Sequence, residues 1–216
     1  VSLPEDDQTY HQDLLNACQP AGIDAKEIST NKALIIEPNV SPDITRAITV
    51  PDATIDPFRL TAANVLAATE HGARILTHCE VIGFISDQAS LRGVTCLDRQ
   101  TGQTFDVHAQ LIVNAAGVWG QKVCRLAGIE LAMFPSKGAM VILDYRVNNV
   151  VINRCRKPAD GDILVPGDTV SLIGTTSKKI SYDQINDLSV DPDEIKTLLN
   201  DGEKLLPNLS RTRVLR

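Results

Sequence analysis

Residues 111–121, LIVNAAGVWGQ, run apolar for three positions, then pass through Asn114 into two alanines, a glycine and the only tryptophan of the chain. The pattern predicts a strand over Leu111–Asn114, buried on both faces, that ends on Ala115, Ala116 and Gly117 before a helix starting near Trp119. A parallel sheet has this form where a ligand sits over its carboxyl edge, because small residues let a bulky group touch backbone. The same residues also serve where a helix packs closely on a strand, so spacing alone leaves both readings open.

The flanking segments extend this reading. Upstream, Asp56 followed by Pro57 is an N-cap with proline at the first helical position, and Gly72 falls where a left-handed C-cap belongs, so RLTAANVLAATEH is a helix. ARILTHCEVIGFIS, LRGVTCLD and TFDVHAQLIVN, with the turn RQTGQ, then predict a strand, a small antiparallel meander and the return strand at Leu111–Asn114. Nearer the start, His11 to Cys18 is a short helix and Ile48 to Val50 a strand running into Pro51. After Leu131 the pattern changes to alternating strands with a PGD turn, a second and antiparallel sheet. Asp191-Pro192, with Glu194 three residues after the cap, opens a final helix whose Ile195, Leu198, Leu199, Leu205 and Leu206 face the core. The fold class is α/β with α+β character.

Composition limits the partners. The chain has 216 residues, 43% of them apolar, and a net charge of -6, so it can bury a core and offers no basic face to nucleic acid or an anionic membrane. No apolar run approaches the roughly 20 residues of a membrane helix, and the first residues lack a signal-peptide pattern. Five cysteines without a CxxC pair suggest neither a disulfide framework nor a zinc site, and fit a reducing cytoplasm. The two ends, VSLPEDD and SRTRVLR, read as interrupted elements, so the sequence is expected to belong to a longer chain.

No G-x-G-x-x-G, phosphate loop, H-E-x-x-H or G-x-S-x-G occurs. His11, His71, His78 and His108 have no spacing for a shared metal and receive no role. DATIDPFRLTAANVLAATEHGARILTHCEV, LIVNAAGVWGQ, FPSKGAMVIL and INRCRKPADGDILVPGDTVSLIGTTS together resemble the middle of FAD-dependent glycerol-3-phosphate dehydrogenases, the large subunit of the anaerobic type above all. The resemblance covers nearly the whole chain.

That resemblance implies a D-amino-acid-oxidase-like flavoprotein fold with a parallel-sheet flavin-side part, a β-meander and an antiparallel substrate domain. It divides the chain into a substrate-domain segment at 1–56, an FAD-binding part at 57–130 and a second substrate-domain segment at 131–216. It implies that the backbone around Glu80 and Val81 meets the adenine ring and that Ala115, Ala116 and Gly117 pass beside the ADP moiety. Lys137, Gly138, Gly174 and Thr175 become candidates for the wall facing the flavin ring, Lys137 having a solvated turn as its alternative. Arg154, with Arg156 and Lys157, is either a phosphate donor set or a solvated loop. Met140 stands where aerobic relatives carry a histidine and Ser177 where many carry an acid, so no catalytic residue is assigned. The dinucleotide fingerprint would precede Val1 and most substrate arginines would follow Arg216, so this stretch alone is expected to be inactive.

The implied activity is oxidation of sn-glycerol 3-phosphate to dihydroxyacetone phosphate with FAD, electrons passing to quinone through partner subunits at the cytoplasmic face of the inner membrane. The alternatives are a non-catalytic binding or structural module of the same fold, and an FAD-dependent amine or amino-acid oxidase. NRCRKPADGDILVPGD argues against the oxidase.

Overall fold

The structure, a computed structural model, describes residues 1–87, 90–207 and 209–215. It forms two compact units. The first gathers Val1–Ile55, Ser136–Ile180 and Asn186–Arg216; the second comprises Asp56–Pro135 and Ser181–Ile185.

In the first unit, α1 (Tyr10–Cys18) precedes a two-stranded antiparallel ribbon of β1 (Lys26–Ile28) and β2 (Ala47–Thr49), with α2 (Thr30–Ile36) between them. Ser29 starts α2 by accepting the Lys32 N–H on its hydroxyl. In the second unit, α3 (Pro57–Glu70) is capped by Asp56, whose carboxylate accepts from the N–H groups of Phe58 and Arg59, and Gly72 follows at φ +85°. The meander β3 (Cys79–Asp87), β4 (Ser90–Asp98) and β5 (Thr104–His108) is antiparallel throughout, with β3 and β5 at its edges. The helix α4 (Gly120–Leu126) follows it.

The chain then returns to the first unit with β6 (Ser136–Lys137), β7 (Met140–Ile142), β8 (Ile152–Asn153), β9 (Ile163–Pro166), β10 (Ser171–Gly174) and β11 (Lys178–Lys179), and ends in α5 (Pro192–Leu205). Four of these strands form one antiparallel sheet in the order β7-β10-β9-β8, with the predicted PGD turn joining β9 to β10, and β6 pairs separately with β11. The register aligns Val141, Ile173, Leu164 and Ile152 across that sheet, all buried, so one face carries the core. Leu198 and Leu205 of α5, both fully buried, join it. A methyl group on Gly202 would overlap Ile173 Cδ1, so the helix lies close on β10 and Ile173 would have to turn aside to admit a side chain there.

The predicted parallel element is where the structure departs from the sequence pattern. Every ladder among the described residues is antiparallel, and residues 73–76 and 111–116 form no strand. Leu111 and Val113 are 81% and 77% exposed, and Ile75 and Leu76 are exposed as well. Apolar runs of this kind become strands only when a neighbouring backbone edge takes their hydrogen bonds. None does so here among the described residues.

Candidate functional site

The cofactor-side candidates all lie in the second unit. Glu80 and Val81 lie on β3, whose register pairs Glu80 with Leu97 and Val81 with Cys96; as an edge strand it leaves one side of its backbone free of the ladder. The Glu80 carboxylate is already engaged by Arg99, and Lys122 Nζ of α4 lies 3.6 Å from its second oxygen. The Arg99 hydrogen bond holds this carboxyl below its ordinary range, with Arg99 and Lys122 charge assisting. Its side chain therefore ties α4 to the meander, and only the backbone remains for a ligand.

The turn 114–117 is built by a residue whose role no motif announces. Asn114 donates through Nδ2 to the Gly120 carbonyl at 2.9 Å and to Cys124 Sγ at 3.3 Å, while its Oδ1 accepts the Ala116 N–H at 3.2 Å. One amide thus clamps the start of α4 to the turn. Gly117 sits at φ +54° with nothing within 4 Å of where a Cβ would stand. Its requirement is the left-handed backbone, which a side chain disfavours, rather than crowding. Ala115 and Gly117 are exposed and Ala116 half-buried. Tyr182 closes the far side: its hydroxyl donates to the Val118 carbonyl at 3.1 Å and accepts the Lys122 N–H at 3.2 Å. The turn is thus exposed and its backbone is held by Asn114, while the adjoining Val118 and Lys122 backbone is held by Tyr182.

The substrate-side candidates lie in the first unit, and the structure separates them. Met140 and Gly174 are direct partners across β7 and β10; a Cβ on Gly174 would fall 2.9 Å from Met140 Cγ. Gly138 is equally constrained, since a Cβ there would stand 2.9 Å from the Thr176 carbonyl oxygen. Both glycines serve close strand packing. Met140 and Thr175 present exposed side chains at this end of the sheet.

Lys137 is no solvated turn lysine. Its Nζ donates to Glu194 Oε2 and to the Ser189 carbonyl, both at 2.5 Å, with 13% of the side chain exposed against 9% for Glu194. Glu194 also accepts Thr176 Oγ1 at 2.8 Å and the Asp191 N–H at 3.0 Å. The Lys137 ammonium and these donors hold its carboxyl down at about 2. The capping role of Glu194 was visible in the sequence; its pairing with a residue 57 positions away was not.

Arg154 itself fits neither reading of the basic cluster. Its side chain has no exposed surface; Nε donates to Asp6 Oδ2 at 3.3 Å, Nη2 binds Asp6 Oδ1 and lies 3.1 Å from Glu5, and Nη1 lies 3.7 Å from Asp201. Three carboxylates lie around one guanidinium, and although Nη1 makes no hydrogen bond among the described residues, the group has no exposed surface to offer a phosphate. Arg156 is committed to Asp162 at 2.6 Å, and only Lys157 of the three is exposed. A burial of this kind is dictated by acids at positions 5, 6 and 201, which no local pattern around Arg154 announces. No group of three or more His, Cys, Asp or Glu among the described residues could hold a metal ion.

A family model described as DAO, FAD dependent oxidoreductase, matches residues 2–216. The A-subunit of the anaerobic glycerol-3-phosphate dehydrogenase of Escherichia coli (strain K12) is 52% identical over all of this chain and 40% of that protein. Its counterpart in Haemophilus influenzae is 49% identical over all of this chain and 38% of that protein. The chain thus spans about two-fifths of the length of these relatives. Among solved structures, the glycerol-3-phosphate dehydrogenase from Bacillus halodurans complexed with FAD superposes with a TM-score of 0.73 at 24% identity, covering 84% of this chain and 38% of that one. At that identity the likeness shows the fold.

Proposed function

This chain belongs to the FAD dependent oxidoreductase family, and from that premise we propose that it serves the oxidation of sn-glycerol 3-phosphate to dihydroxyacetone phosphate, with electrons passing to quinone through partner subunits. The observation that carries this reading is 52% identity, sustained over the chain's whole length, to a protein named for that activity. That relative is itself named as one subunit of its dehydrogenase, which supports the existence of partner subunits. The reading places the protein in the cytoplasm, at the inner face of the membrane through those partners, and five free cysteines suit that compartment.

When bound, FAD supplies the hydride acceptor. The free edge of β3 at Val81 and the Ala115–Gly117 turn would hold it by backbone, with Asn114 and Tyr182 keeping that turn in place. At the end of the antiparallel sheet, the Thr175 hydroxyl offers a hydrogen bond to substrate, and Met140 offers an apolar contact and no proton transfer. Neither Thr175 nor Met140 carries a group basic enough to take the hydroxyl proton. The test is dye reduction by the full-length protein with glycerol 3-phosphate, compared with sarcosine. Reduction by glycerol 3-phosphate is expected; reduction by the secondary amine alone would overturn the reading in favour of an amine oxidase.

A further inference from the structure

We propose that the buried Lys137–Glu194 ion pair, acting through Thr176, positions the exposed sheet end that carries Met140 and Thr175 for substrate. The inference rests on the reading of that end as the substrate wall. Lys137, Thr176 and Glu194 are positioning residues whose polar groups bind one another and the neighbouring backbone.

The connectivity supports this role. Thr176 lies next to exposed Thr175, yet is itself 4% exposed. Its hydroxyl donates to Glu194 Oε1 at 2.8 Å and accepts the Ala139 N–H at 2.9 Å, while the Thr176 N–H donates to the Ala139 carbonyl at 3.2 Å. Ala139 directly precedes Met140. One hydroxyl thus joins the backbone before Met140 to the backbone after Thr175, and Glu194 fixes the orientation of that hydroxyl. Glu194 is in turn fixed by Lys137 on the strand entering Gly138 and by the Asp191 N–H at the start of α5. A helix cap alone would need only the Asp191 contact; the further bonds to Lys137 and Thr176 all run to the two segments that carry the exposed pair. A charge-assisted hydrogen bond is shorter and stronger than a neutral one, and a buried place strengthens it further.

The experiment uses the full-length enzyme, comparing Thr176→Val, Thr176→Ser and Glu194→Gln with Thr175→Ala and Met140→Ala, at equal flavin content and well below each variant's unfolding temperature. Steady-state constants for glycerol 3-phosphate and the visible flavin spectrum are recorded for each. Thr176→Val is expected to change kcat/KM by roughly 10- to 150-fold, the size that follows from losing one hydrogen bond to a charged group. Thr176→Ser, which keeps the hydroxyl, is expected to restore it to within about twofold by the same reasoning. Native constants and spectrum in Thr176→Val, alongside altered ones in Thr175→Ala or Met140→Ala, would overturn the positioning role and leave the site reading standing. Silent Thr175→Ala and Met140→Ala would overturn both. Should Glu194→Gln fail to fold, the Thr176 pair still decides.

Discussion

Arg154 and Asp6 lie 148 residues apart in sequence and form a buried pair, Nε to Oδ2 at 3.3 Å, with 0% and 1% of their side chains exposed. Asp6 also accepts the Leu3 N–H at 2.8 Å, so the guanidinium locks the first loop of the chain against the residues after β8. A phosphate donor would have to leave these acids to act. The geometry makes Arg154 a structural cation.

Removing Asp6 takes away the one fully buried acid of the cluster and leaves the buried guanidinium only the half-exposed Glu5 at 3.1 Å and Asp201 at 3.7 Å. Asp6→Ala is therefore expected to destabilise the first unit by about 3–5 kcal/mol. Urea unfolding followed by circular dichroism reads this out, and a midpoint equal to that of the unchanged protein would refute it.

Gly202 faces Ile173 Cδ1 so closely that a Cβ would overlap it, at a helix position that is itself buried. Gly202→Ala improves helix propensity and still should cost about 1–3 kcal/mol, because the core must shift to admit the methyl. Thermal unfolding that rises with this change would show that Ile173 turns aside at no net cost.

Gly117 presents the opposite case: its surroundings are empty and its φ is +54°. Gly117→Ala is expected to cost about 1 kcal/mol through backbone strain alone, and Gly117→Asn less, since asparagine tolerates the left-handed region. Equal costs for alanine and asparagine, measured by denaturant unfolding, would point to a contact instead of a dihedral.

Glu194 is held at about 2 in the folded protein against an ordinary value of 4.5. A depressed folded value means that the ionised carboxylate stabilises the fold above about 4.5, and that this contribution is lost as pH falls from there through about 2. Glu194→Gln should flatten the acid limb of the stability curve in that window while lowering stability at pH 7. Unfolding curves of both proteins between these pH values provide the measurement, and parallel acid limbs would contradict the assignment.

Local chemistry was legible in the sequence wherever neighbours in the chain are also neighbours in space. Asp56, Pro57 and Gly72 bound α3 where the capping pattern placed them, Asp191 and Glu194 start α5, and the PGD turn joins two strands of the antiparallel sheet. Each of these features closes its hydrogen bonds within a few residues, so residue type and spacing suffice. The meander β3-β4-β5 was legible for the same reason, its strands being consecutive.

Tertiary structure alone decided the rest. The apolar run at 111–114 looked like a strand by its own composition, yet a strand exists only with a partner edge, which sequence does not contain. Lys137 and Arg154 could each be a ligand donor, a solvated cation or a buried counterion, and spacing cannot separate these. The choice fell to Glu194 in one case and to Asp6, Glu5 and Asp201 in the other, carboxylates that folding brought across the chain. The charge of a side chain is written in the sequence; whether it stays in water depends on which opposite charges the fold seals beside it.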